Sequence, residues 1–243
     1  MLLRDCARTC ARRLQVTCGA NQAFVNIVLT LCDVGDRVGL FAPYYFNHKM
    51  CLQMTGLGPT IVTGERDAQM IPDAAWVERT LSETGLKMLV VCNPDNPTGT
   101  VVPKATLDRI SEACARHGCW LVLDNTYEYF VYGGAEHYAI EATHVINIFS
   151  FSKARHSAPL HQHVASPKLF FAILSRDDLA GVRHGVPHGM VRLQAYGMMG
   201  WRVGYIAYVD EQPGEDGQLW SLEAQLLKAQ VRPGATRGAK VLK

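Results

Sequence analysis

Apolar positions along the chain fall into two alternating textures. Short unbroken apolar runs occur in "RVGLFAP" (37–43), "KMLVVCNP" (87–94), "CWLVLDN" (119–125) and "HVINIFSFS" (144–152). Between them lie longer stretches whose apolar residues recur every three or four positions, the spacing of one helix face. "PDAAWVERTLSETG" (72–85) opens on Pro-Asp and closes on Gly85, and "PKATLDRISEACARHG" (103–118) starts with Pro103 and has Gly118 just past its end. Both are helix start and stop signals. "LQVTC" reads as a first strand, "GANQ" as a turn into an apolar helix ending at Cys32, "YYFNHKMCLQMTG" as a helix stopping at Gly56, and "GPTIVTG" as a short strand. Continuous apolar strands alternating with helices predict an α/β fold, a mostly parallel sheet sandwiched by helices on both faces.

The chain has 243 residues, 48% of them hydrophobic, enough for one sizeable core. Charged residues make up 19% and the formal net charge is +2, which points to neither disorder nor a nucleic-acid partner. The longest apolar stretch, Ala23–Cys32, is shorter than a membrane span. "MLLRDCARTCARRLQ" has no apolar signal core and reads as the end of a helix leading into the first strand, with an organellar leader as the alternative. The eight cysteines show no zinc-type spacing, so reduced thiols in a cytoplasmic protein are expected.

In open parallel sheets, ligands sit at the carboxyl ends of the strands. Gly19, Ala20 and Asn21 follow the first strand and open a helix; "NPDNPTGT" with Asn96 follows "MLVVC"; Asp124, Thr126 and Tyr127 close "WLVL"; Ser150, Ser152 and Lys153 close "VINIF". Arg202 follows later, in "GWRVGY". A lysine ending a buried strand in apolar company is a candidate imine-forming nucleophile. A helix N-terminus with Ala20 and Asn21, joined by Ser150, Ser152 and Arg202, would hold a phosphate. A buried Asp124 needs a cationic or donor partner, and a protonated pyridine nitrogen would serve. Asn96 and Tyr127 can hydrogen-bond a phenolic oxygen, and Tyr45 could stack on an aromatic ring. Together these meet the needs of pyridoxal phosphate. Taken singly, each has a plainer reading: Asp124 as a helix cap, the two tyrosines as core aromatics, Arg202 as an ion-pair partner, Lys153 as a surface lysine.

"NPDNPTGT", "DNTYEYF", "SFSK" and "GWRVGY", in this order, resemble the class I/II aminotransferases, the fold-type-I pyridoxal-phosphate enzymes. "VTCGANQAF" and "PYYFNHKM" look closer still to the plant and algal group that takes aromatic amino acids or methionine and acts on indole-3-pyruvate in auxin metabolism. The resemblance implies a Schiff base between the cofactor and Lys153, which would also shuttle the substrate Cα proton. It implies Asp124 on the ring nitrogen, Asn96 and Tyr127 on the ring oxygen, and Tyr45 against the ring. Ala20, Asn21, Ser150 and Arg202 would hold the phosphate. The implied reaction moves an amino group from an amino acid to a 2-oxo acid in a homodimer, with Lys153, Asp124 and Tyr127 as the catalytic set. The alternatives are a remnant that at most binds the cofactor and another chemistry of this fold, such as a carbon–sulfur lyase.

In the family, "SFSKA" runs directly into "YGMMGWRVGY". Here residues 155–195 intervene, with five of the nine histidines and no helical or strand period. A metal site is not expected there, because the histidines have neither i, i+4 partners nor patterned acids. The segment reads as an unstructured insertion of the kind a translated intron gives, inside an incomplete large domain spanning 14–230. Residues 231–243 read as an unrelated tail. The resemblance further implies a small C-terminal domain bearing a substrate-clamping arginine, expected to be missing here.

Overall fold

A computed structural model describes residues 10–150, 152–153, 202–211 and 222–230. Among these residues seven strands form one sheet: β1 (Cys10–Thr17), β2 (Val38–Phe41), β3 (Ile61–Gly64), β4 (Met88–Cys92), β5 (Trp120–Asp124), β6 (Val145–Ser150) and β7 (Gly204–Glu211). Their order is β1-β7-β6-β5-β4-β2-β3. The five strands from β6 to β3 are parallel, and β7 runs antiparallel to both β6 and β1. The helices are α1 (Gly19–Leu31), α2 (Phe46–Met54), α3 (Ala74–Thr84), α4 (Lys104–Arg116) and α5 (Leu222–Gln230).

The strand period of two sorts the apolar runs between two cores. Met88 and Val90 of β4, Val122 of β5 and Ile146 and Ile148 of β6 pack with Phe24, Ile27 and Val28 of α1 and Leu52 of α2. The intervening Leu89, Val91, Leu121, Leu123 and Val145 pack with Val77 and Leu81 of α3 and Leu107 and Ile110 of α4. Both faces are covered, which is why these strands read as continuous apolar runs. Each fully buried leucine or isoleucine contributes about 1.5–3 kcal/mol of transfer free energy. Asp73 caps α3 by accepting from Ala75 N at 2.8 Å, and Gly85 ends that helix at φ +63°, where a side chain would be strained.

The expectation for the N-terminal segment is corrected in part. Residues from Cys10 onward are strand, not the end of a helix, and β1 starts ahead of the boundary expected at Leu14. The cause is pairing in tertiary structure: Cys10 stands opposite Glu211 and Thr17 opposite Gly204. Gln15 fastens this strand to α5 by donating from Nε2 to Leu226 O at 3.0 Å. Residues 155–195 and 231–243, read as insertion and tail, lie outside the described residues.

Candidate active site

The parallel strands β4, β5 and β6 end at one edge with Cys92, Asp124 and Ser150. Because β7 is antiparallel, its beginning lies at that same edge, with Gly204 opposite both Ser150 and Thr17. Arg202, just before β7, therefore joins residues that follow other strands. The edge opens into a cleft of about 120 Å³ lined by Ala20 and Asn21 from α1, Tyr45, Asn96, Asp124 and Tyr127, together with Ser150, Ser152, Lys153 and Arg202. Every site residue expected from the sequence lines it. Cys92, Pro94 and Thr126 complete the wall.

One end of the cleft is built for an anion. α1 has no capping side-chain bond and no acid in its first turn, so its N-terminal N–H groups and dipole are not neutralised locally. Arg202 lies against this terminus: a Cβ on Gly19 would stand 2.8 Å from Arg202 Nη2. Gly204 is equally tight, since a Cβ there would come within 2.8 Å of Ala20 N and 2.9 Å of Phe149 O. Arg202 has φ +51°, a left-handed conformation that costs a non-glycine residue on the order of 1 kcal/mol or more. Ser150 and Ser152 add hydroxyls joined at 2.7 Å.

Asp124 lines the cleft as well. It is buried, with Oδ2 3.0 Å from His48 Nε2 and Oδ1 accepting from Thr126 N at 3.0 Å. Burial opposes its charge, yet the hydrogen bond and charge of His48, with help from Thr126, hold the carboxyl below its ordinary range. His48 Nδ1 faces Cys92 Sγ at 3.9 Å. Burial, then the Asp124 and Asp95 carboxylates, push this thiol well above its ordinary value. With Nε2 turned to Asp124, Nδ1 is left facing the Cys92 thiol. The ligand atoms of this trio lie within 4.8 Å of one another. Cys92 and Asp124 address different ring nitrogens, however, which makes a hydrogen-bond chain rather than a chelate.

Tyr45 precedes α2 and is positioned by its neighbours: its hydroxyl receives Asn47 Nδ2 at 2.9 Å and reaches Asn21 Oδ1 at 3.4 Å, and its ring meets His48 edge-on at 5.2 Å. Lys153 Nζ lies 5.0 Å from the centre of the Tyr127 ring. The loop bearing Tyr127 is tied down by buried amides. Asn125 Nδ2 donates to Asn147 Oδ1 at 2.9 Å, Asn147 Nδ2 to Ile140 O at 2.9 Å, and Asn93 Nδ2 to Tyr138 O at 3.1 Å. His137 Nε2 completes the set by donating to Asn125 Oδ1 at 2.9 Å.

Cys92 in the cleft wall and the buried His48 bonded to Asp124 are the groups not singled out in the sequence. A signal for His48 was present. It lies on α2 three positions after Tyr45, the residue at the N-cap of that helix, and the two rings meet edge-on.

The arrangement brings a primary amine, a buried carboxylate kept charged, a helix N-terminus with an arginine, an amide, a phenol and a second aromatic ring into one cleft. The donor set fits pyridoxal phosphate: Lys153, Asp124 and the cradle of Ala20, Asn21 and Arg202 meet its aldehyde, ring nitrogen and phosphate by chemical type.

Comparison with known proteins agrees. The sequence profile of the family described as "Aminotransferase class I and II" matches residues 5–159. The aromatic aminotransferase ISS1 of Arabidopsis thaliana is 43% identical over 214 residues, covering 87% of this chain and 44% of the relative. Among solved structures, a double mutant of Thermus thermophilus aspartate aminotransferase superposes with TM-score 0.61 at 25% identity, covering 89% of this chain and 44% of that one. A pyridoxal-phosphate-bound C–S lyase from Staphylococcus hominis shares the fold, with TM-score 0.52 at 21% identity over 57% of this chain and 37% of that one. The chain spans about half the length of the curated relatives it matches or less. With a matching profile over most of its length and a fold to suit, the chain belongs to the class I and II aminotransferases.

Proposed function

We propose that this chain binds pyridoxal phosphate through Lys153 and transfers an amino group from an aromatic amino acid or methionine to a 2-oxo acid. The observation behind this reading is the pairing, within one cleft, of Lys153 with a buried Asp124 that His48 keeps ionised. Bound there, the cofactor supplies a ring able to accept electron density from the substrate Cα. Asp124 would hold a protonated ring nitrogen by charge and hydrogen bond. The α1 N-terminus and Arg202 would fix the phosphate, with Ser150 and Ser152 as hydroxyl donors. Tyr45 would cover a ring face, and Asn96 and Tyr127 would donate to the ring oxygen. The Lys153 amine would hold the cofactor and then move the proton at Cα.

The preference for aromatic donors follows the 43% identity to a relative named for that activity. A role in auxin metabolism, a homodimeric assembly and a cytoplasmic setting belong to the same proposal. The free thiols of Cys18, Cys32, Cys51, Cys92, Cys114 and Cys119 suit a reducing compartment. No helix among the described residues is long and apolar enough to cross a membrane.

The test is a visible absorbance titration of the full chain with pyridoxal phosphate, beside Lys153→Ala. We expect a band that depends on Lys153, and its change on adding phenylalanine, tyrosine, tryptophan or methionine. Equal spectra from the two chains would defeat the proposal. A lysine-dependent band with no amino transfer would restrict it to cofactor binding, and release of a thiol would favour lyase chemistry.

A further inference from the structure

Arg66 does not line the cleft, yet it is among the most completely enclosed charges in the described structure. Its side chain is 5% exposed, and that of its partner Asp95 is 2% exposed. Its guanidinium binds two separate loops. Toward the exit of β2, Nε donates to Ala42 O at 3.1 Å, and Nη2 is shared between Phe41 O at 3.3 Å and Pro43 O at 3.4 Å. Toward the exit of β4, Nη2 donates to Asp95 Oδ1 at 2.9 Å. Nη1 donates to Met70 O at 2.8 Å, which anchors the arginine to its own loop, and the guanidinium sits over the Phe41 ring with Cζ 5.8 Å from its centre. Asp95 is in turn held by Thr98, whose hydroxyl donates to Oδ2 at 2.7 Å.

The positions of these contacts give them meaning. Pro43 stands two residues before Tyr45, and Asp95 is adjacent to Asn96. Tyr45 and Asn96 line the cleft from loops that follow neighbouring strands β2 and β4. We infer that Arg66 is a positioning residue: it clamps the β2 and β4 loops together and so sets where Tyr45 and Asn96 meet the cofactor ring. The inference rests on the cofactor reading above. A planar guanidinium with five donors can serve both loops at once, whereas an ammonium offers its donors from a single point. The paired carboxylate and the four carbonyl acceptors offset the solvation cost of burying that charge.

The experiment uses the full chain and reads pyridoxal phosphate affinity and the ellipticity induced in the bound cofactor at saturation, which reports the ring's setting. Arg66→Lys keeps the charge and removes the fork. We expect about tenfold weaker binding and a reduced ellipticity per bound cofactor. In a Tyr45→Leu, Asn96→Ala background, the same substitution should cost less than about threefold, because the residues it positions are gone. If Arg66→Lys does not fold, the double variant Arg66→Met, Asp95→Leu, which removes both charges together, is read in its place. Unchanged affinity and ellipticity in a folded variant would overturn the inference, as would an undiminished penalty in the Tyr45→Leu, Asn96→Ala background. A parent chain without lysine-dependent binding would overturn the cofactor reading, and this inference with it.

Discussion

His48 Nε2 lies 3.0 Å from Asp124 Oδ2, with the two side chains 4% and 9% exposed. A carboxylate this deep would favour its neutral form without such a partner, since burial opposes the charge. Replacing His48 by Leu leaves burial as the dominant influence and moves the Asp124 carboxyl upward. Cofactor affinity should then fall about tenfold at pH 6 and recover toward pH 8, whereas the parent should stay level across that range. Dissociation constants measured over pH 5.5–8.5 check this, and a flat profile in His48→Leu would exclude the role.

Gly204 is a second point of leverage. A methyl group there meets backbone atoms of Gly19, Ala20 and Phe149 at 2.8–2.9 Å, and none of these is the end of a flexible chain. Gly204→Ala should destabilise the fold by about 1–3 kcal/mol and weaken phosphate-bearing ligands more than pyridoxal itself. Denaturant melts and paired titrations with pyridoxal and pyridoxal phosphate separate the two effects.

His137 predicts an acid-side loss of stability. Burial depresses its pKa to about 4, opposed in part by a backbone contact at Asn93. The unfolded chain binds this proton near its ordinary value, so between about pH 6.5 and pH 4 the unfolded state holds more protons and stability falls as pH falls. The size is on the order of 3 kcal/mol, and below pH 4 this contribution stops changing. His137→Gln should flatten the unfolding free energy over that window, as measured by denaturant titration at several pH values.

The stretch 155–195 is open to a direct test. β6 and β7 are paired from Ile146–Tyr208 to Ser150–Gly204, so the frame of the cleft is in place on either side of that stretch. We expect a chain lacking 155–195 to bind pyridoxal phosphate at least as tightly as the full chain, with the same dependence on Lys153. Loss of binding would show that the stretch contributes to the site. Sequencing transcripts across codons 154 and 195 tests its origin as translated intron, which predicts messages without it.

What the sequence disclosed and what it withheld follow from the range of the interactions. The helices and buried strands were legible because their signals are local: apolar period, Asp73 before α3, Gly85 after it. The cleft residues were legible because α/β sheets present ligands at strand ends. The direction of β7 was not, since an antiparallel strand reads like a parallel one when both faces are covered. Arg202 lies at the right edge because of that direction. Contacts formed only in three dimensions stayed hidden. His48 and Asp124 are 76 positions apart, and Arg66 and Asp95 are 29 apart.

The place of β7 between β1 and β6 also orders events during synthesis. Among the described strands β1 is made before the others, and its partner β7 follows roughly 190 residues later. At about 5–20 residues per second, its unpaired edge waits roughly ten to forty seconds. Until β7 arrives, Gly204 cannot close on Gly19 and Ala20, and Arg202 cannot reach the start of α1. A nascent chain halted before residue 204 would thus own the lysine and the aspartate without Arg202 at the start of α1, so the proposed cofactor capture waits for β7.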